Sequence, residues 1–141
     1  MSGFILSLGY ERRSVEDLVA VLVDHGVRKL LDVREAPVSR RPGFSKRSLS
    51  ARLHEAGIEY RHLGIAGNPH RQRRENIQRC LQLYETHLCE NPQVVEAFAQ
   101  EVLGQAIAVL CYERDHDGCH RSVLLDALAQ EGHDLEVIRV E

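Results

Sequence analysis

The sequence lacks the features that would place it in a membrane or export class. No apolar run approaches the roughly 20 residues that a membrane-spanning helix needs. The first residues include a short apolar run but neither a basic leader nor a cleavage site, so we interpret them as a first strand rather than a signal peptide. Repeats, low-complexity tracts and linkers are also missing. We therefore expect one soluble domain over residues 1–141 with no membrane contact.

Two nucleotide-binding motifs are absent as well. No G-x-G-x-x-G follows the first apolar run, and no Walker loop occurs in the chain, so dinucleotide and nucleoside triphosphate binding of the familiar kinds is not supported. The formal net charge of −3 argues against a protein that coats polyanions without selectivity. Four cysteines in a chain of this length, with no secretory leader, are typical of reduced thiols, which predicts a cytoplasmic location.

What the chain does contain is a regular alternation of strand-like and helix-like segments. It has 141 residues, 43% of them hydrophobic and 28% charged, as expected for one globular domain. The apolar runs predict strands over 4–8, 29–35, 58–64, 106–113 and 135–140. These strands are apolar on both faces, which indicates a sheet covered by helices on both sides. We predict a single doubly wound, Rossmann-like α/β domain with a mainly parallel five-stranded sheet.

Charged and nucleophilic residues concentrate where the predicted strands end. In an open parallel sheet, ligands bind outside the carboxyl ends of the strands. We predict catalytic roles for four residues at this edge: Asp32, Glu113, Cys119 and His120. We predict substrate contacts for seven more: Gly9, Tyr10, Arg34, Arg41, His62, Arg114 and Arg121. The opposite edge carries little chemistry, so one functional edge is expected.

The densest cluster of such residues is "CYERDHDGCHRS", residues 111–122. Cys119 is expected at the start of the last long helix, where unpaired amides and the helix dipole favour negative charge. A thiol there has a lowered pKa, more so beside Arg121 or a protonated His120. The same position would suit a bound phosphate held by arginine. A nucleophile and an anion site therefore predict the same residue types.

Structural roles are the alternative for the same loop. Asp117 followed by Gly118 is ordinary turn chemistry, and Cys119 could cap the helix or pack. We expect Cys111, the last apolar residue of its strand, to be a buried core thiol, and His116 to be solvated.

A zinc site is a further alternative, with Cys111, His116, Cys119 and His120 as ligands. Their spacing matches no familiar zinc knuckle, and neighbouring arginines would crowd the ion. We therefore predict neither metal nor cofactor.

Two other charged features of the sequence stand out. Asp32 lies in an apolar strand, and burial of a carboxylate is costly unless it is paired, so we expect an ion pair with an arginine. The arginines within 71–74 precede a helix. They form either a solvated basic face or a contact with a phosphate backbone.

Taken together, "LLDVREAPVSRRPGF", "EAGIEYRHLG" and "LCYERDHDGCHRSVLLDAL" resemble the bacterial and archaeal domain-of-unknown-function family 488. The resemblance implies a compact α/β domain with its signature at one edge, and no assigned activity. It implies these signature positions: Gly9, Asp32, Arg34, Phe44, His62, Cys111, Glu113, Cys119, His120 and Arg121. Tyr10 departs from the pattern, in which histidine is more usual. An imidazole role at that position is therefore in doubt.

"LLDVRE" also resembles the second strand of rhodanese-like sulfur-transfer domains. However, neither Cys111 nor Cys119 begins their compact Cys-to-Arg loop, and the Cys-x5-Arg spacing of cysteine phosphatases is missing as well. The leading hypothesis is an enzyme or enzyme-like domain that acts on a phosphate-bearing small molecule or a nucleic acid. The alternatives are a non-catalytic nucleic-acid or anion-binding module and, third, sulfur transfer. The oligomeric state is not readable from the residues.

Overall fold

A computed structural model describes residues 3–70 and 76–140. The strands are β1 (Phe4–Gly9), β2 (Lys29–Asp32), β3 (Glu59–His62), β4 (Ala106–Cys111) and β5 (Val137–Val140). The helices are α1 (Val15–Asp24), α2 (Lys46–Glu55), α3 (Ile77–Glu90), α4 (Pro92–Val102) and α5 (His120–Gln130). Two single 3₁₀ turns, Gly64–Ala66 and His116–Gly118, precede α3 and α5. Within the described ranges, no helix is long and apolar enough to cross a bilayer.

The five strands form one sheet in the order β3-β2-β4-β1-β5. Every pairing among the described residues is parallel. Strand β4 is inserted between β1 and β2, so the chain runs one way across the sheet through β3 and then returns. This confirms the predicted fold class, with a sheet that is wholly parallel where described.

Helices cover both faces of the sheet because successive strand residues point to opposite sides. On β4, Ile107 and Val109 pack in one core with residues of α3, α4 and α5. Ala108 and Leu110 pack in a second core with residues of α1 and α2. The apolar strand β4 is therefore buried on both faces of the sheet, as a doubly wound fold requires.

Two helix starts agree with the sequence signals. The hydroxyl of Ser14 accepts from the Asp17 N–H at 3.1 Å and caps α1. The break at Asn91 and Pro92 separates α3 from α4, with the proline in the first turn of α4. These local signals set the elements before any tertiary contact is considered.

The second strand is shorter than its apolar pattern predicts and ends at Asp32. Val33 N–H still bonds the carbonyl of Leu110 on β4 at 3.1 Å. The next amide, of Arg34, turns to the Asp32 carboxylate at 3.1 Å instead of a neighbouring strand. The Asp32 carboxylate thus takes an amide that would otherwise bond to a neighbouring strand, and the strand ends there.

The topology creates a crevice at the carboxyl end of β4. Its neighbours β1 and β2 continue into helices on one face, while β4 itself continues into α5 on the other. Loops that leave adjacent strands in opposite directions open a gap between them, where ligands bind in this fold class.

Candidate functional site

A cleft of about 370 Å³ opens at the carboxyl ends of β2 and β4; we call it the Cys111 cleft. The lining includes Cys111 at the end of β4, Glu113 in the loop after it and His120 at the start of α5. One wall comes from the loop after β2, including Arg40 and Arg41, and another from the start of α3. The predicted functional edge therefore contains a cavity large enough for a small ligand.

Two cysteines and a histidine meet at the bottom of this cleft. We call Cys111, Cys119 and His120 the cysteine–histidine cluster. His120 Nδ1 lies 3.5 Å from the Cys111 sulfur and 3.8 Å from the Cys119 sulfur. Cys111 and His120 line the cleft, whereas Cys119 does not. Cys119 is only 1% exposed and lies behind the other two.

The backbone of the neighbouring strand sets the orientation of the His120 ring. Nε2 lies 2.9 Å from the Val33 carbonyl oxygen, which can only accept, so Nε2 carries the proton and donates. Nδ1 of the neutral ring is then an unprotonated acceptor that faces both sulfurs. Tyr84 packs edge-on against the ring at 5.1 Å. Histidine is therefore held as a base directed at the thiols.

Arg121 lies beneath the cluster with no solvent exposure. Its Nε donates to the Cys119 sulfur at 3.3 Å, and Nη2 donates to the Glu113 carbonyl at 2.5 Å. Nη1 has no hydrogen-bond partner among the described residues. A buried guanidinium needs a nearby negative charge, and the sulfur of Cys119 is the group it contacts.

Glu113 and Gly9 connect this cluster to β1. The Glu113 carboxylate, half-buried, lies 3.5 Å from the Cys111 sulfur. A Cβ on Gly9 would lie 1.8 Å from the Glu113 carbonyl oxygen, so only glycine allows the two backbones to approach this closely. Gly9 therefore shapes the site through its backbone.

The two thiols have opposite pKa shifts. Burial opposes ionisation of Cys119, but the Cys111 thiol, the His120 ring and the Arg121 guanidinium together hold the pKa of Cys119 well below its ordinary value. The hydrogen bond to Cys119, together with burial, raises the pKa of Cys111 well above it. The negative charge of the pair therefore resides on the deeper sulfur, while the sulfur on the cleft keeps its proton.

The neighbouring acid and base respond to that charge. Burial opposes protonation of His120, but the Cys119 sulfur and the Val33 carbonyl raise the pKa of the ring overall. Burial and the Cys119 charge raise the pKa of Glu113. Such displaced values are typical of groups that move protons.

Asp32 and Arg34 form the expected buried pair. The carboxylate accepts from Arg34 Nε at 2.8 Å and Nη2 at 2.6 Å, and the Tyr60 hydroxyl donates to it at 2.5 Å. Arg34 Nη1 donates to the Phe44 carbonyl at 2.7 Å. Burial lowers the pKa of Arg34, but the hydrogen bond and charge of Asp32 raise it overall. Burial and Asp32 both raise the pKa of Tyr60. This pair holds the loop after β2 against the cleft.

Tyr10 joins the same wall through ring contacts. It stacks on Phe44 with ring centroids 4.5 Å apart, and the Arg34 guanidinium lies 5.3 Å from its ring centre. Arg41 lies 5.8 Å from the Phe44 ring and donates from Nη2 to the Arg13 carbonyl. Tyrosine here therefore serves as a stacking surface.

Some predicted site residues lie away from the cleft. His62 contacts the Arg34 carbonyl with Nε2 at 2.7 Å and supports the loop from outside. Arg114 lines a separate shallow cavity with Glu11, Arg12 and Asp115. The basic stretch at 71–74 lies outside the described residues.

The expectation that His116 is solvated is wrong. Its side chain is 4% exposed, and Nδ1 lies 2.6 Å from the Ser7 hydroxyl on β1. The 3₁₀ turn before α5 folds the ring back onto the sheet. His116 is thus separated from the cysteine–histidine cluster with which the zinc alternative grouped it. Cys111 is buried as expected, but it also lines the cleft.

Sequence reasoning missed two parts of the site. The Val33 carbonyl orients His120, but a carbonyl has no sequence signature. Asn68 lines the cleft and donates to the Cys80 sulfur at 3.2 Å. The only available signal was the Asn-Pro turn that contains Asn68, which is common loop chemistry.

The fold and this site define a small doubly wound α/β protein with a buried cysteine–histidine centre. The family model described as Domain of unknown function DUF488 matches residues 14–128, and the chain belongs to this family. Gly9 and Tyr10 precede the matched segment. No curated protein and no solved structure matches the chain.

Proposed function

We propose that this chain is an enzyme that acts on a phosphate-bearing substrate held in the Cys111 cleft, with the cysteine–histidine cluster as its reacting centre. The observation that carries the proposal is the position of His120, whose Nδ1 faces two sulfurs while Nε2 is fixed by Val33. A nucleophile, a base and a group that orients the base form the arrangement of covalent catalysis. We place the reaction in the cytoplasm, where thiols stay reduced.

The two sulfurs have different tasks in this proposal. Cys111 lines the cleft and is the sulfur that a substrate reaches. Its electron pair forms the bond to the electrophilic atom, while its proton passes to Cys119 or His120. The leaving group departs with the electron pair of the broken bond and takes a proton from Glu113. Cys119, predicted from the sequence as either the nucleophile or an anion contact at the helix start, holds the negative charge before the reaction and is the more buried of the two sulfurs.

The lip of the cleft supplies positive charge for the substrate. Arg34 and Arg121 have their donors directed at Asp32 and Cys119, so they stabilise the site from within. Arg40 and Arg41 line the cleft mouth, and Arg40 is exposed. Guanidinium groups donate in pairs to phosphate oxygens, which makes this lip the contact for a nucleotide or another phosphate ester.

Ligand protection of the thiol tests this proposal. Reduced protein kept with a chelator is treated with iodoacetamide in the presence of adenosine monophosphate or inorganic phosphate, and Cys111 is followed by peptide mass spectrometry. We expect the nucleotide to slow alkylation of Cys111 and the double variant Arg40→Ala/Arg41→Ala to lose this protection. Arg52→Ala, a half-buried arginine of α2 that does not line the cleft, serves as the control. Unchanged alkylation of Cys111 with both ligands would contradict the proposal. A Cys111 that is not alkylated even without ligand would favour a non-catalytic binding module.

Sulfur transfer is the second candidate, because the cleft sulfur of Cys111 has another thiol beside it. Attack of Cys111 on thiosulfate would give a cysteine persulfide and release sulfite, and Cys119 could later take up the sulfur. Treatment with thiosulfate followed by intact-mass measurement tests this. A gain of one sulfur atom that is lost in Cys111→Ala supports transfer, and no gain excludes thiosulfate as the donor.

A further inference from the structure

The atoms of the cysteine–histidine cluster have the spacing of metal ligands. Both sulfurs and one ring nitrogen lie within 4.8 Å of one another. A tetrahedral zinc ion with Zn–S of about 2.3 Å and Zn–N of about 2.0 Å separates its sulfur and nitrogen ligands by about 3.6 Å. His120 Nδ1 lies 3.5 Å and 3.8 Å from the two sulfurs. Both nitrogen-to-sulfur distances are therefore close to those of a zinc site.

The cluster supplies three ligands, and zinc sites with three protein ligands take water or substrate in the fourth position. Glu113 Oε2 lies 3.5 Å from the Cys111 sulfur but is not among the ligand atoms that all lie within 4.8 Å of one another. Cys111, Glu113 and His120 all line the cleft, which gives an ion a path from solvent. Cys119 closes the site from below.

The surroundings supply what metal ligands usually require. A metal-bound histidine donates its other N–H to a carbonyl or carboxylate, and His120 Nε2 donates to the Val33 carbonyl. Arg121 Nε donates to the Cys119 sulfur at 3.3 Å. Two thiolates carry two negative charges, which a divalent ion neutralises.

We propose that Cys111, Cys119 and His120 form a binding site for one divalent cation of the zinc class, and that a bound ion blocks the reactivity of both thiols. Sulfur and imidazole ligands favour zinc over magnesium or calcium. The metal site stands on these distances alone. Its effect on reactivity rests on the proposed function, since an ion that holds both sulfurs removes the free nucleophile.

Metal binding can be measured directly on the reduced full chain. Apoprotein is titrated with Zn²⁺ against a chromophoric chelator, and separately with Co²⁺, whose absorption reports sulfur ligands through a charge-transfer band. We expect one ion per chain, a Co²⁺ charge-transfer band, and an affinity at least about 100-fold lower in Cys119→Ser, since even partners outside the ligand shell cost 10- to 100-fold. Cys89→Ser, an exposed cysteine, is the matched control and should bind like the unmodified chain.

The outcomes separate the two proposals. Absence of a charge-transfer band, or equal Zn²⁺ affinity in Cys119→Ser and Cys89→Ser, would overturn the metal site. The Co²⁺ band is read on the unmodified chain, so this result does not depend on folding of a variant. In another outcome, the chain binds Zn²⁺ tightly while nucleotide fails to slow alkylation of Cys111 in the apoprotein. That result would support the metal site and contradict the proposed substrate. Equal alkylation rates of the two thiols with and without Zn²⁺ would contradict the proposed loss of thiol reactivity in the metal-bound chain.

Discussion

The Nε of Arg121 donates to the sulfur of Cys119 at 3.3 Å from a side chain that is completely buried. An arginine stays charged in proteins, so this contact places a permanent cation beside a thiol in a water-free setting. The sequence suggested that Arg121 holds a substrate anion; in the structure, the group it holds is the cysteine. One contact therefore both lowers the pKa of the Cys119 thiol and gives the buried Arg121 a partner.

Replacement of Arg121 should weaken the ionisation of Cys119. In chelator-treated Arg121→Met, loss of the cation raises the pKa of Cys119, so its thiolate forms at higher pH than in the unmodified chain. Ultraviolet thiolate absorbance followed across a pH titration measures the shift. Arg139→Met, which removes an exposed partner of Asp117, should leave the titration unchanged. An unmoved curve in Arg121→Met would show that the arginine does not acidify the sulfur.

Removal of Arg34 should strongly destabilise the fold. Asp32 is completely buried and its carboxylate receives two donors from Arg34. Arg34→Met leaves that carboxylate with Tyr60 as its remaining side-chain donor, and we expect a loss of about 3–5 kcal/mol in the free energy of unfolding. Urea titration measures it, with the exposed Arg28→Met as control. A loss below about 1 kcal/mol would contradict the dependence of the buried Asp32 carboxylate on Arg34.

The Glu101 ion pairs predict a pH-dependent contribution to stability. Burial opposes the ionised form, but Lys29 and Arg61 hold the pKa of Glu101 below its ordinary value. A carboxylate with a lowered pKa stabilises the fold above its unfolded value, and this contribution disappears as pH falls through the folded value. Glu101→Gln should cost about 1 kcal/mol at neutral pH and less near pH 3.

Urea titrations at both pH values test this, with Glu96→Gln on the same helix as control. An equal cost at the two pH values would assign the effect of Glu101→Gln to packing rather than charge.

A methyl group on Gly9 should disturb the site from β1. The added Cβ would lie 1.8 Å from the Glu113 carbonyl oxygen, so the backbones must separate at a cost of about 1–3 kcal/mol. The same carbonyl receives Arg121, and the displacement should therefore reduce thiol reactivity as well. Gly118→Ala meets its nearest atom at 3.4 Å and serves as control. Normal stability and alkylation in Gly9→Ala would show that this approach is not required.

The fold class was predictable because its signals are local. Apolar runs, the Ser14 cap and the Asn91–Pro92 break each depend on a few neighbouring residues. Charged residues at strand ends likewise predicted the edge at which the cleft lies, because parallel strands bring their carboxyl ends together. The Asp32–Arg34 pair followed from the cost of burying a lone carboxylate.

The relations between distant residues were decided only by the tertiary structure. His116 and His120 share one loop, yet the 3₁₀ turn sends one ring to Ser7 and the other to the two sulfurs. The Val33 carbonyl directs His120 because β4 is inserted next to β2, an order that no residue pattern specifies. Sequence by itself therefore determined which chemical groups reach this edge. Packing across the sheet decided which of them touch, since contact depends on strand order and backbone direction rather than on spacing along the chain.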